Sequence, residues 1–283
     1  MRTAAAIVFA FLLFAPSAFA AGDPEIAALQ VGLHKHRLYA GQVDGVLGGT
    51  TVSAVRRLQQ RAGLVADGVP GPRTRTALGR YGRRAPFGRR LLGAGMRGWD
   101  VAALQFSLAW HGFPSGKFDG VFGNSTELAL RKFQRWARLA SDGVAGESVV
   151  AALRAPLPAC PIGLAAPLSI GYSELFGPRG SRFHTGIDYP GHAGAPVTAA
   201  AAGRVTSAGW SAGGWGYLVT IAHANGVQSL YAHLSRVSVR VGQWVAVGRR
   251  VGRVGASGRA SGPHLHFEVR LRGAAVDPLT CLR

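Results

Sequence analysis

The N-terminal half of the chain contains an internal repeat, which restricts the possible folds more than any other feature of the sequence. Residues recur at a constant offset of 75 positions without a gap, so that Leu29 and Gln30 are matched by Leu104 and Gln105. The motif Asp-Gly-x-x-Gly-x-x-Thr occurs with the same offset, and its four copies begin at Asp44, Asp67, Asp119 and Asp142 (with Val149 as the last residue of the fourth). Chance does not preserve such a register, so we predict two copies of one small domain, at residues 22–82 and 98–155.

Each copy is predicted to be a bundle of three short helices. Ile26, Leu29 and Leu33 have the spacing of one helical face, and Leu130 and Phe133 show the same pattern in the second copy. The Asp-Gly motif predicts a tight turn before the next helix, because Gly accepts a positive φ and Asp bonds to nearby backbone. We therefore interpret the Asp, Gly and Thr of the motif as turn residues, and expect ligand contacts in grooves between helices.

Two irregular segments separate the predicted domains. Residues 83–97 are rich in Arg and Gly, which indicates a basic linker or solvated arm. Residues 156–166 are rich in Pro and form the second predicted boundary. The remaining residues 167–283 are predicted to form one larger domain.

The first 20 residues have the pattern of a secretory signal peptide. Residues 4–14 are uninterruptedly apolar, and Ala18-Phe19-Ala20 has the form of a cleavage site. A membrane anchor is the alternative, but the apolar run is shorter than the ~20 residues that a spanning helix needs. We therefore expect a secreted protein, extracellular or in the cell wall, without a transmembrane anchor.

Export affects both the partner that the net charge suggests and the expected oxidation state of the two cysteines. The formal net charge is +19, from 32 Lys and Arg against 13 Asp and Glu. Such a charge is typical of nucleic-acid binding, but outside the cytoplasm it favours anionic polymers, and we expect no nucleic-acid partner. The two cysteines, Cys160 and Cys281, form an even pair in an exported chain and are predicted to form a disulfide.

Histidines concentrate in the last domain, where six of the nine follow residue 180. His184 and Asp188 form an H-x-x-x-D motif. His264 and His266 lie in the segment HLHFEVRL, whose strict alternation predicts a strand with both imidazoles on one face and Leu265 on the other. Catalytic zinc can be bound by two histidines and a carboxylate, with a fourth position left open for water or substrate. These motifs together therefore indicate a metal site.

A predicted hairpin bears on two further histidines. Asn225-Gly226 between YLVTIAH and VQSLYAHL predicts a two-residue turn. If Ala224 pairs with Val227, His233 and His223 lie on opposite faces of the sheet and do not both reach one site unless a bulge intervenes. The residues alone do not choose between them.

The doubled Asp-Gly motif resembles the peptidoglycan-binding repeat of many wall hydrolases, a small three-helix bundle. The resemblance extends over both repeats and implies binding to cell-wall muropeptide or glycan. We therefore expect peptidoglycan as the partner, with a general attraction to anionic wall polymers through the charge.

Residues 170–278 are similar to the lysostaphin-type zinc endopeptidases. The similarity rests on GPRGSRFHTGIDYP, GAPVTAAAAGRV, LYAHLS and SGPHLHFEVR, which occur in that order. It implies an antiparallel β-sheet with a groove over the sheet, and so a multidomain α+β protein. It implies His184, Asp188 and His266 as ligands of one Zn²⁺, and His233 and His264 as the catalytic pair beside the attacking water.

The expected protein is a secreted zinc metalloendopeptidase that hydrolyses crosslinks or stem peptides of peptidoglycan and is targeted to the wall by two repeats. We expect a monomer. A non-catalytic wall-binding or activator protein with the same fold is the alternative, and the presence of all five site residues argues against it. The sequence does not tell which peptide bond is cut.

Overall fold

The computed structural model describes residues 22–283. The predicted signal peptide, residues 1–20, lies outside this range. Within the described residues no helix has the length and apolar character needed to span a membrane. Among these residues the α-helices all lie before residue 155 and the strands all follow residue 176, which confirms the predicted α+β class.

Each repeat contains three helices. Helix α1 begins after Asp23, whose carboxylate accepts a hydrogen bond from Glu25 N at 2.7 Å, and Pro24 occupies the first turn where its missing N–H costs nothing. Helices α3 and α6 are short and close the bundles. The bounds are α1 (Pro24–Lys35), α2 (Gly49–Arg61) and α3 (Pro72–Ala77) in the first repeat, and α4 (Trp99–Trp110), α5 (Asn124–Trp136) and α6 (Glu147–Arg154) in the second.

The repeated motif forms a polar junction between successive helices. Gln30 Nε2 donates to Asp44 Oδ1 at 2.6 Å and to Val46 O at 3.1 Å, and its Oε1 accepts from Gly45 N. Gly45 has φ +73, as the predicted turn requires. The same bonds recur around three further buried glutamines, Gln59, Gln105 and Gln134. The duplicated Gln and Asp therefore hold the helices together, which matches their interpretation as structural residues.

The two repeats are packed together rather than joined by a free arm. Ala27 and Ala28 of α1 share one hydrophobic core with Ala102 and Phe106 of α4. The basic segment 83–97 lies against this unit: Arg90 bonds to the buried Asp100 at 2.6 Å, and Leu92 is buried and pairs with Ala145. The expectation of a solvated arm is therefore wrong for these two residues, because they have buried partners in the second repeat.

The C-terminal part contains a nine-stranded antiparallel sheet and a separate hairpin of strands β1 and β2. Along the sheet the order is β11-β10-β7-β6-β5-β8, with β3 against β10 and with β9 between β4 and β7. The predicted alternation in β10 is confirmed, because Leu265, Phe267 and Val269 are fully buried in the core on one side. The strands are β1 (Gly177–Arg179), β2 (Arg182–His184), β3 (Ile187–Pro190), β4 (Pro196–Thr198), β5 (Gly203–Ser211), β6 (Gly216–Ala222), β7 (Val227–Val237), β8 (Trp244–Val245), β9 (Arg250–Val254), β10 (His264–Leu271) and β11 (Ala274–Val276).

The turn between β6 and β7 differs from the predicted one. His223 N donates to Val227 O at 2.8 Å, so the loop holds three residues instead of two and the register moves by one residue. His223 therefore faces the same side as Ser229, to which its ring is bonded at 2.7 Å. The predicted pairing of Ala224 with Val227 is wrong, because a three-residue loop with Asn225 at φ +56 replaces the two-residue turn.

A disulfide joins Cys160 to Cys281 and fixes the C-terminus to the segment that precedes the sheet. The hairpin of β1 and β2 contacts both repeats. Trp110 of α4 packs edge-to-face on Phe183, while Val43 N donates to Gly180 O at 2.9 Å. The hairpin is therefore held between the helical repeats and the sheet.

Candidate metal centre and catalytic groove

Three neighbouring strands bring His184, Asp188 and His266 together. His184 ends β2, Asp188 lies in β3, and Asp188 is directly opposite His266 of β10 in the antiparallel pairing. One ligand atom from each residue forms a triangle: His184 Nε2 lies 3.1 Å from Asp188 Oδ1 and 2.9 Å from His266 Nδ1, and the third side is 2.8 Å. All three residues are buried.

The outward-facing ring nitrogens fix the tautomers of the two histidines. His184 Nδ1 lies 2.8 Å from Leu175 O, and His266 Nε2 lies 3.4 Å from Glu268 Oε1. Both acceptors require an N–H at those positions, which leaves lone pairs on His184 Nε2 and His266 Nδ1. Three electron pairs, including one of Asp188, then point at one another. A cation between them removes the repulsion, and a triangle with sides near 3 Å fits three ligands of tetrahedral zinc.

Electrostatics at this point also favour a cation. A proton on His266 Nδ1 relieves the same repulsion as a cation would: burial lowers the pKa of His266, but hydrogen bonds to Asp188 and Glu268 outweigh burial and raise it to about 9. Burial raises the pKa of Asp188, but its polar contacts with His184 and His266 outweigh burial and hold the pKa of this carboxyl well below its usual range. Glu268 is fully buried and its pKa is lowered despite desolvation, because it contacts His266 and Arg270. The site therefore holds two ionised carboxylates, whose negative charge attracts a proton to His266 or a metal cation to the triangle.

His233 and His264 lie together beside this triangle. Their ring centroids are 4.8 Å apart, and the ring of His233 is 5.9 Å from that of His266. His233 Nδ1 lies 2.8 Å from Ser257 O, and His264 Nδ1 lies 2.9 Å from Gly262 O, so each ring keeps Nε2 unprotonated when neutral. Burial lowers the pKa of His233, which keeps that ring neutral at pH 7.

A β-bulge brings His233 to the site. Tyr231 and Leu234 are both in the hydrophobic core although they are three positions apart, and Val219 and Tyr217 oppose them. The extra residue allows His233, at φ +61, to turn toward the groove, whereas regular alternation would direct it into the core. His223 stays on the far side, bonded to Ala202 O at 2.9 Å. The two histidines therefore do not share a site, although for a different reason than the predicted register.

Two further residues at the site are not among those predicted from the sequence. Arg179 at the end of β1 donates to Asp188 Oδ2 at 2.8 Å, so each oxygen of this carboxylate has its own partner. Trp215 precedes β6, and its ring lies 5.5 Å from that of His266. Neither belongs to a recognisable spacing, because Arg179 ends a short strand, Trp215 lies in a loop, and the positions of both depend on tertiary contacts. Together with the five predicted residues they line an open groove of about 540 Å³.

Comparison with known proteins identifies two families that match parts of the chain. Peptidase family M23 matches residues 182–278, and a peptidoglycan binding domain family matches residues 22–78 and 97–153. The DD-carboxypeptidase/endopeptidase Mpg of Neisseria meningitidis is 50% identical over 99 residues, which are 35% of this chain and 23% of that protein. Lysostaphin of Staphylococcus simulans is 35% identical over 105 residues, 35% of this chain and 21% of that protein.

Among solved structures, a zinc-containing peptidase from Vibrio cholerae is 32% identical, with 41% of this chain and 39% of that chain aligned and a TM-score of 0.38. The chain spans less than a quarter of the length of the curated relatives described above. The similarity to Mpg and to lysostaphin therefore concerns about a third of this chain.

Proposed function

We propose that the protein is a zinc metalloendopeptidase that hydrolyses peptide bonds of peptidoglycan, because residues 182–278 match peptidase family M23 and two matches to a peptidoglycan binding domain family precede them. The convergence of His184 Nε2, Asp188 Oδ1 and His266 Nδ1 is the observation that supports this most strongly. Names of relatives point the same way, since Mpg is a carboxypeptidase/endopeptidase.

We assign the metal to His184, Asp188 and His266. A zinc ion there would act as a Lewis acid and lower the pKa of a coordinated water to about 7. His233, neutral at pH 7, can accept a proton from the attacking water through Nε2. His264 lies beside His233, with the ring centroids 4.8 Å apart, and can donate a proton to the leaving amine or stabilise the oxyanion when protonated. Leu175 O and Glu268 orient the two ligand rings.

The test uses purified chain lacking residues 1–20 and isolated peptidoglycan. We expect release of new amino termini, loss of that release after chelation, and recovery with zinc. Full activity after complete removal of metal would refute the zinc mechanism.

We further propose that the protein is exported and that its repeats bind the wall. The full-length chain with Asp188→Ala should sediment with insoluble peptidoglycan at physiological salt without cutting it. If the protein stays in the supernatant even at low salt, wall binding by the repeats is contradicted. Sedimentation that disappears as salt is raised would reduce the interaction to general charge attraction.

A further inference from the structure

A second cleft lies between the second repeat and the peptidase sheet, next to the catalytic groove. It has a volume of about 850 Å³, within the ordinary range of ligand sites. Thr185 and Trp215 line both the cleft and the groove, so the two are continuous. We name it the junction cleft, and the side chains that define it are Ser115, Lys132, Arg135, Trp136, Arg270 and Arg272.

Close contacts hold the two walls of the junction cleft in place. Gly112, at the end of α4, packs so tightly on β11 that a Cβ atom on it would lie 2.3 Å from Ala275 N. Trp136 Nε1 of α5 donates to Leu271 O of β10 at 3.3 Å. Ala274 and Ala275 belong to the hydrophobic cores of the repeats. The cleft is therefore a built feature of the docked domains.

The junction cleft is strongly basic. Four cations line it, and none of its lining side chains is acidic. Arg270 is neutralised by Glu268 at 2.8 Å, but Lys132, Arg135 and Arg272 form no ion pair within residues 22–283. The guanidinium of Arg272 lies 5.7 Å from the ring centroid of Trp136, which holds one cation over an aromatic face.

A buried hydroxyl adds a second observation. Ser115 is 5% exposed and lines the junction cleft, yet its Oγ has no hydrogen-bond partner among the described residues. Buried polar atoms in native proteins nearly always have a partner. Ser115 Oγ is therefore an unpaired hydroxyl buried in the wall of the cleft.

We infer that the junction cleft is a binding subsite for a carboxylate-bearing peptide strand of peptidoglycan that continues from the bond held in the catalytic groove. The inference rests on the proposed function. Lys132, Arg135 and Arg272 pair with free carboxylates of the strand, Trp136 packs on its aliphatic part, and Ser115 bonds to its amide groups. The second repeat then contributes directly to substrate selection and is more than a tether.

The test compares two triple variants with the same change of charge. The cleft variant is Lys132→Gln, Arg135→Gln, Arg272→Gln. The control is Arg236→Gln, Arg240→Gln, Arg250→Gln, three exposed arginines in a separate basic pocket that shares no residue with the cleft. Substrates are soluble disaccharide-peptide dimers with free carboxylates and the same dimers with amidated carboxylates.

We expect the cleft variant to raise KM for the acidic dimer about tenfold, with kcat and cleavage of the amidated dimer unchanged. The control should match wild type on both. An equal rise of KM in both triple variants, or no rise in the cleft variant, would overturn the subsite. The subsite would also be overturned if a poly(glycerol phosphate) inhibited wild type as strongly as an acidic peptide does. Calorimetric binding of the acidic dimer in the presence of chelator separates the two proposals. Cleft-dependent binding without any cleavage would refute only the proposed function, and absence of binding would refute the subsite.

Discussion

Two clusters of buried polar side chains occur in this molecule, one repeated at the helix junctions and one in the sheet. In the repeats, the amide of Gln30 donates to Asp44 and accepts from Gly45 N, so donors and acceptors match. In the sheet, His184, Asp188 and His266 direct three acceptor atoms at one point. A matched cluster stabilises a fold by itself, whereas convergent acceptors need a proton or a metal cation between them. Comparing the number of donor protons with the number of acceptor atoms thus separates a structural cluster from a functional one, even when the residue types are similar.

The largest difference between the clusters should appear in turnover. His233→Ala and His264→Ala should each lower kcat by about 10²- to 10⁴-fold, because each removes a proton-transfer group. Both variants should keep bound zinc, measured by elemental analysis. His223→Ala is the matched control, since this histidine lies on the other face. A loss in the control equal to that of His233→Ala would contradict the assignment.

Removal of the disulfide should affect the two regions unequally. Cys160 and Cys281 enclose only the peptidase part of the chain, at a sequence separation of 121 residues. In the loop-entropy account, Cys160→Ser with Cys281→Ser should lower the free energy of unfolding of that part by about 4–5 kcal/mol. Calorimetry measures the unfolding of the whole chain, and far-ultraviolet circular dichroism, which is dominated by the helices, follows the repeats separately. An equal loss in the helical signal would show that the two parts unfold as one unit.

Substitution in the matched cluster should change stability and leave chemistry intact. Gln59→Leu removes the partner of Gly68 N and one bond to Asp67, and should cost about 1–3 kcal/mol of unfolding free energy. Gln60→Leu is the control, since Gln60 is the next residue and is exposed. Denaturant titration gives the difference, and kcat on a soluble dimer should equal wild type. A loss of kcat at unchanged stability would refute the structural assignment.

The smallest effect is expected from the charge of the motif aspartates. Hydrogen bonds from Val69 N and Gln59 lower the pKa of Asp67, so its ionised form stabilises the fold above pH 3.8. This contribution is lost as pH falls through the lowered pKa of the folded state. Asp67→Asn should lower Tm slightly at pH 7, and the difference from wild type should vanish at strongly acid pH. A constant difference at all pH values would contradict this cause.

Local patterns in the sequence predicted much of both clusters. The Asp-Gly turns and the alternation of β10 depend on neighbouring residues, and both were found. The β6–β7 register was mispredicted, because Asn225-Gly226 fits both a two-residue turn and a three-residue loop. Arg179 and Trp215 were not predicted, since only tertiary contacts bring Arg179 to Asp188 and Trp215 to His266. The packing of α4 on the sheet likewise has no local signal.

Metal content measures the central difference most directly. Native mass spectrometry of the purified wild-type chain and of the Asp188→Ala variant gives the number of zinc ions bound to each. We expect one zinc per wild-type chain, none in the variant, and release of new amino termini only from the zinc-bound form. A wild-type chain that binds no zinc, or a zinc-free chain that cleaves peptidoglycan at the same rate, would contradict the account.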